Sequence, residues 1–380
     1  MSEKRKKPNK WRGFFWLINP SYFLGLEEGE RENKNSKGKK KRNRFLIWLL
    51  NPQYAMGLEA ADRENDKTTG RHKRRIRRFW AVGWLFFLIF LYAGRPDWAY
   101  AITIWPAWIG MFFGIFLTIL SRTWRTLIAI GYLIFGLYFV DEMHTIPRMV
   151  MPEPPHDLRV VSLNCAGGSP AAAEEVQAQN PDIILFQESC RPDVLQRLAT
   201  KFFGTKGSVL IGSDASIIAR GHLKPLKTHR GTIDYVAAEW SDDAGHHLKL
   251  MSLRLSPPTM RVDLYNPEAW NAFSADRASR RHETESIAAE LATLSFQSDL
   301  MGGDFNSPPD KGQVGSLTNG KMDTFAEAGV GYGATCVNPF PCLVRIDQLW
   351  HSTAILATRS RVVGTENSDH RMLVSDFRWK

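Results

Sequence analysis

Three stretches in the C-terminal part of the chain concentrate side chains that can handle a charged reaction: Gly302-Gly-Asp304-Phe-Asn306-Ser-Pro-Pro, Arg345-Ile-Asp347 and Ser368-Asp369-His370-Arg. Two more lie upstream, at Asn164 and at Gln187-Glu188-Ser189. Carboxylates, amides and an imidazole are what hydrolysis of a phosphodiester at neutral pH requires. A hard cation such as Mg2+ takes oxygen ligands from one or two carboxylates and keeps water and substrate phosphate in its other positions. Glu188 is the first candidate ligand. A histidine beside a carboxylate stays protonated and can donate to a phosphate oxygen, which is the part open to His370 paired with Asp347. Each residue also has a structural reading: Asp304 and Asn306 can cap a turn, Asp347 can close a strand-end salt bridge, and His370 can be a surface histidine. Their ordered coincidence favours a hydrolytic site.

The elements that would position these groups begin after a Pro-rich connector over 144–157 (Pro147, Pro152, Pro154, Pro155), where short β-rich runs alternate with Gly/Pro turns and amphipathic helices. Leu158–Leu163 reads as a strand ending at Asn164, Ala171–Gln179 as a helix, and Asp182–Phe186 as a buried strand ending at Gln187-Glu188. Such a β-helix-β unit delivers an amide and a carboxylate to one edge, a favoured place for sites in α/β folds. A helix over Ala278–Leu294 precedes the Gly302-Gly-Asp304 run. The soluble domain is therefore placed at 158–380.

An Asn after the first strand, a Glu after the next, a Gly-Asp-Phe-Asn box, an Ile-Asp strand and a closing Ser-Asp-His, in this order, resemble the DNase-I-like endonuclease/exonuclease/phosphatase superfamily over about residues 156–380. The resemblance implies a four-layer α/β/β/α sandwich and a Mg2+-dependent phosphoester hydrolase, with Mn2+ as an alternative ion. It implies that Asp369 joins Glu188 at the metal, directly or through water, and that Asn164 holds the scissile phosphate or the metal's hydration shell. It further implies that Asp304 orients and deprotonates the attacking water while Asn306 donates to phosphate or nucleophile, in an in-line displacement. One position departs from the pattern: Arg254, ending the strand Leu248–Leu255, stands where the family presents His or Tyr. An Arg can clamp a phosphate oxygen but is no ordinary proton donor at neutral pH, or it can be a salt-bridge residue.

Charge is unevenly spread: residues 1–150 hold 26 Lys+Arg against 12 Asp+Glu, and residues 151–380 hold 23 against 27. The basic part is not the catalytic part, which disfavours nucleic acid as the substrate. Between Phe79 and Val140 three apolar spans are expected, Phe79–Ala93, Trp98–Leu120 and Thr126–Val140, placing the membrane segment at 75–143; the alternative is a buried helical hairpin. Arg71, Lys73, Arg74, Arg75, Arg77 and Arg78 before the first span, with Arg122 and Arg125 between the last two, put the N-terminus in the cytoplasm and the domain after Asp141 in the periplasm or outside the cell.

The arm, residues 1–74, duplicates Trp16-Leu-Ile-Asn-Pro-Ser-Tyr22 as Trp48-Leu-Leu-Asn-Pro-Gln-Tyr54 beside Lys/Arg-rich runs. It suits anionic lipid or a cytoplasmic protein, or else is a solvated tail. Among four cysteines, Cys336 with Cys342 and Cys165 with Cys190 are the pairs that can bridge; free thiols are the alternative. The expected function is a membrane-anchored phosphodiesterase or phosphatase, with a lipid-linked phosphate as the favoured substrate. The alternatives are an extracytoplasmic nuclease, or a catalytically inactive binding module, which Arg254 would support.

Overall fold

The computed structural model describes residues 66–119, 124–227, 235–258, 261–336 and 343–380, with side chains from Ile76 onward. The duplicated arm, Arg122 and Cys342 lie outside the described residues.

Strands β1 (Leu158–Asn164) and β2 (Ile183–Gln187) bury both their faces. Leu158, Val160, Ile183 and Leu185 enter the core between two sheets, whereas Val161, Leu163, Ile184 and Phe186 face outward under helices. This period-two division of a double-sided strand is why β2 reads as an unbroken apolar run up to Gln187 and β1 as one broken only by Arg159 and Ser162. The other strands are β3 (Gly207–Ile211), β4 (Ala215–Arg220), β5 (His222–Pro225), β6 (Tyr235–Ser241), β7 (His247–Arg254), β8 (Leu300–Asp304), β9 (Met322–Asp323), β10 (Asp347–His351), β11 (Ile355–Val363) and β12 (Met372–Trp379). They form two mixed six-stranded sheets, ordered β11-β12-β1-β2-β4-β3 and β5-β6-β7-β8-β10-β9. Val160, Leu185, Ile217, Leu250, Leu300, Leu349 and Phe377 join the sheets face to face.

Preceding and flanking helices, in chain order, are α1 (Asp66–Gly94), α2 (Tyr100–Thr103), α3 (Ala107–Ile119), α4 (Arg125–Phe139), α5 (Glu142–Thr145), α6 (Pro170–Glu175), α7 (Pro192–Phe203), α8 (Pro267–Thr293), α9 (Lys311–Thr318) and α10 (Thr324–Ala328). Leu195 and Leu198 of α7 cover the outer face of the first sheet, and Ile287 and Leu291 of α8 cover that of the second. Helix α8 begins well before the expected Ala278. The side chain of Asn266 accepts from Glu268 N and Pro267 occupies the first turn, so cap chemistry rather than apolar periodicity sets the start.

The Gly302-Gly303 pair in β8 has a packing cause. Gly303 has φ 151°, and a Cβ there would run into the Leu253 carbonyl of β7; one at Gly302 would meet Leu349 and Leu185 in the core. The close approach of β8 to its neighbours needs both glycines.

Of the three expected spans the structure supports one as a single helix, and up to three if each of two bent helix pairs is one span. One helix, at Ile76–Gly94, is long and apolar enough to cross a membrane; the other two candidates are each a pair of helices, bent by 76° and 90°. The 13 residues of α3 and 15 of α4 reach only about 20 and 22 Å at ~1.5 Å per residue, against a ~30 Å hydrocarbon layer. Pro106, which has no N–H to donate, stands at the first break, and polar anchoring holds the flanking segments elsewhere. Leu85–Phe113 and Ile130–Lys380 fall within one compact unit. There Asp97 pairs with Arg277 and, at 2.9 Å, with Arg281 of α8; Arg280 donates to the Tyr100 hydroxyl at 3.3 Å; and Arg345 donates to Asp141 at 3.0 Å. The segments following α1 and α4 are thus bound to the sandwich.

Candidate active site

The ends of five strands build the site. Parallel pairing of β1 with β2 sets Asn164 opposite Gln187, which brings Glu188 alongside; register across the second sheet sets Arg254 of β7 and Asp347 of β10 on either side of Asp304 in β8. Asn164 joins the two sheets. Its Nδ2 donates to Glu188 Oε1 at 3.2 Å and to Asp304 Oδ2 at 3.1 Å. Glu188 and Asn306 both have positive φ, 45° and 50°, a strained backbone for side-chain-bearing residues that persists where surroundings over-determine it. For Asn306 the determinants are visible. Its N–H donates to Asp304 Oδ1 at 2.8 Å, its Nδ2 donates to the Leu255 carbonyl at 2.7 Å, and its own carbonyl accepts from Arg280 at 2.9 Å.

Asp304 is buried, and loss of hydration together with the charge of Asp347 pushes its carboxyl up to about 7, against the opposing pull of His370, the Asn306 N–H and the Asn164 amide. Burial works against charging His370. However, Asp347, accepting from Nδ1 at 2.9 Å, with Asp304 and Asp369 nearby, outweighs it and pushes the imidazole up to about 10. The site thus pairs a carboxyl poised near neutrality with an imidazolium. For Glu188, desolvation is outweighed by the Gly167 N–H, donating at 2.5 Å, and by Asn164 and Arg254, so the carboxyl sits below its ordinary value.

Seven of the eight expected residues therefore meet at one edge of the sandwich. The eighth, Asp369, is exposed; its neighbour His370 turns inward, with its N–H on Ser368 Oγ at 3.0 Å. Arg254 is committed to protein carboxylates, giving Nη2 to Glu188 and Nη1 to Asp214, each at 2.8 Å, while its buried Nε, without a hydrogen-bond partner, lies 4.0 Å from Asp304 Oδ2. Ligand atoms of Asp304, Asp347 and His370 lie within 4.8 Å of one another. Asp347 Oδ1 is buried with no hydrogen-bond partner, an oxygen that a cation, a water or a substrate group would satisfy. Carboxylate and amide oxygens around Glu188, Asn164 and Asp304 fit a hard divalent cation; a protonated His370 does not serve as a ligand.

The profile of the Endonuclease/Exonuclease/phosphatase family matches residues 161–370, more than half of the chain. The chain belongs to this family. Family members are phosphoester hydrolases and nucleases, typically dependent on a divalent metal, which agrees with the acidic cluster at the strand ends. Solved structures similar to this chain include an endonuclease/exonuclease/phosphatase family protein from Bacteroides thetaiotaomicron, 13% identical with a TM-score of 0.45, covering 60% of this chain and 100% of that one. A mannosyl-6-phosphatase from the same organism is 14% identical with a TM-score of 0.45, covering 59% and 100%. Humanized D. rerio TDP2 is 18% identical with a TM-score of 0.43, covering 58% and 98%. No curated protein matches the chain.

Several supporting groups of this family member were not singled out as functional from its sequence. Asp214, in the β3–β4 turn, holds Arg254; Thr335 Oγ1 accepts from the N–H groups of Ile346 and Asp347, each at 3.1 Å; Ser368 Oγ donates to the Asn164 carbonyl at 2.7 Å. Only Ser368 carried a signal, as part of the closing Ser-Asp-His. The bridge considered between Cys165 and Cys190 is absent: both thiols are free, Cys165 Sγ directed at the Leu163 carbonyl (3.9 Å) and Cys190 Sγ at that of Ser169 (3.4 Å). They lie side by side because β1 and β2 are neighbours, yet each hydrogen-bonds rather than forming S–S.

Proposed function

We propose that the protein is a membrane-anchored, Mg2+-dependent phosphoester hydrolase that attacks phosphorus in line with water, and that its favoured substrate class is a lipid-linked phosphate. The poised Asp304 carboxyl beside the Asp347–His370 ion pair carries this reading. With its carboxyl near neutrality, Asp304 can accept the proton of a water held by Asn306, and His370 can donate Nε2–H to a non-bridging phosphate oxygen. Glu188, with Asn164 beside it and Asp369 through water, would hold the cation. When bound, that ion would stabilise the charge building on phosphate. Purified full-length protein should hydrolyse bis(p-nitrophenyl) phosphate with Mg2+, lose at least ~100-fold in rate with EDTA and recover on Mg2+ addition. Turnover indifferent to EDTA would rule out the metal-dependent reading. Rapid DNA cleavage with no action on lipid phosphates would instead favour a nuclease. An inactive binding module is the second reading, supported by the two carboxylates that Arg254 ties up. It predicts no Mg2+-dependent turnover at all.

Anchoring is supported by the apolar Ile76–Gly94 helix and by outward-facing Phe86, Phe90, Phe112 and Leu133, each at least half exposed. The basic residues from Arg71 to Arg78 favour a cytoplasmic N-terminal end, by the positive-inside rule. One crossing or three give the same parity, so the sandwich would lie in the periplasm or outside the cell. In intact cells, a cysteine introduced at exposed Thr353 should react with a membrane-impermeant maleimide and one introduced at Ser2 should not; the reverse pattern would refute this orientation.

A further inference from the structure

Arg95 to Tyr100 lead from the apolar Ile76–Gly94 helix into α2, and three contacts bind them to the loop that follows Asp304. The first is at Pro309, whose carbonyl accepts from Arg95 Nη1 at 2.9 Å. The second is at Asp310. Arg277 of α8, almost wholly buried, gives Nη2 to Asp310 at 2.7 Å and Nη1 to Asp97, which also pairs with Arg281 at 2.9 Å. Asp310 in turn caps α9, accepting from the Gly312 N–H at 2.9 Å. The third contact reaches Asn306 itself. Arg280, as deeply buried, shares its Nη1 between the Tyr100 hydroxyl (3.3 Å) and the Asn306 carbonyl (2.9 Å), while Nη2 is neutralised by Asp276 at 2.7 Å.

Asn306 is the group in the site with most to lose from a loose loop. Its positive φ of 50° is held by three hydrogen bonds, two of them local, to Asp304 and the Leu255 carbonyl, and the third from Arg280. The Nε of Arg280 is buried without a hydrogen-bond partner, so the direction of this guanidinium is set at Tyr100, Asp276 and Asn306. Withdrawing the donor from a buried carbonyl costs free energy and favours rotation of the peptide out of its strained conformation.

We infer that Arg95–Tyr100 is a positioning element of the active site, which through Arg280 and Arg277 sets the Asn306–Asp310 loop and with it the direction of the Asn306 side chain. The inference rests on the phosphoester-hydrolase reading above. These residues act through others, so their contribution is geometric, and a misplacement of ~1 Å at a reacting group costs ~10²-fold in rate. The catalytic edge is thereby built in part by chain that precedes the sandwich, and it is fastened to the end of the apolar helix.

In the full-length protein, with bis(p-nitrophenyl) phosphate and Mg2+, Arg280→Met is expected to lower kcat by ~10–100-fold with KM within ~3-fold of the parent. Arg280→Lys, which keeps a cationic donor, should recover part of that loss. Tyr100→Phe and Arg95→Gln each remove one hydrogen bond and little packing, and each is expected to lower kcat ~3–10-fold at unchanged KM. In EDTA, hydrogen exchange of the 305–314 backbone should quicken ~10-fold in Arg280→Met while β1 and β2 exchange as in the parent. Should Arg280→Met not fold, Tyr100→Phe and Arg95→Gln decide by the same two measurements. Parental kcat in both of these, a rise in KM that matches the fall in kcat, or exchange that quickens throughout the sandwich would overturn the inference. Faster exchange confined to 305–314, in a protein whose parent shows no Mg2+-dependent turnover, would uphold the positioning of the loop and refute the hydrolase reading.

Discussion

Asp304→Asn is expected to lower kcat by ~10²–10⁴-fold, the range typical for loss of a positioned general base, without loss of fold. The substitution keeps size and shape, so the Asn306 N–H retains an acceptor at the same place. What disappears is the only group at the centre of the site whose proton affinity matches neutral pH. Stability separates a chemical loss from a folding one. The Asp304 carboxyl has its folded value raised to about 7 from the ordinary 3.8, so its ionisation weighs against the folded state as pH rises from the lower value through the higher, and the penalty is complete above about 7. At pH 8 in EDTA the variant should therefore melt no lower than the parent. A variant that keeps more than a tenth of parental kcat would remove Asp304 from the base's role; a large fall in melting temperature would make the kinetic loss uninterpretable as chemistry.

His370→Gln is expected to cost ~10²–10³-fold in kcat/KM, the scale seen when one preorganised donor to a developing charge is removed. Its more specific mark is on the pH profile. Parental activity should rise as Asp304 ionises, at or below about 7 because a bound cation favours the carboxylate, and fall as His370 loses its proton at about 10. The variant should lack the alkaline fall. The same histidine contributes stability that is fully present below its ordinary 6.5 and is lost as pH rises through about 10. In EDTA, the parent's melting temperature should consequently drop across that window more steeply than the variant's. Identical slopes would mean that the Asp347–His370 pair is not charged in the folded protein.

What could be read along the chain and what could not divide by physical range. β1 and β2 announced themselves because strands buried on both faces are apolar at most positions, and Asn164 and the Gln187-Glu188 pair stood out as the polar groups that end such runs. Gly302-Gly303 and the Asp304-Phe-Asn306 that follows are likewise local, since close strand packing and a tight turn restrict residue type at each position. The start of α8 was missed because a capping asparagine, not periodicity, fixed it.

Apolar content alone also left the bends within two of the three expected spans unseen. Composition registers transfer from water to an apolar phase, but it does not register that Pro106 interrupts a helix or that Asp97 and Asp141 are bound by Arg277, Arg281 and Arg345. Those pairings join residues some 180 to 200 positions apart. By itself the sequence determined the family, the strands and the identities of the polar groups at their ends. Only the tertiary structure decided that Arg254 spends its guanidinium on Glu188 and Asp214, that the Cys165 and Cys190 thiols stay unbonded, and that Asp347 and His370 pair at 2.9 Å beside Asp304. Each depends on long-range distances and on the charge and hydration they set, and neither residue type nor local spacing encodes these.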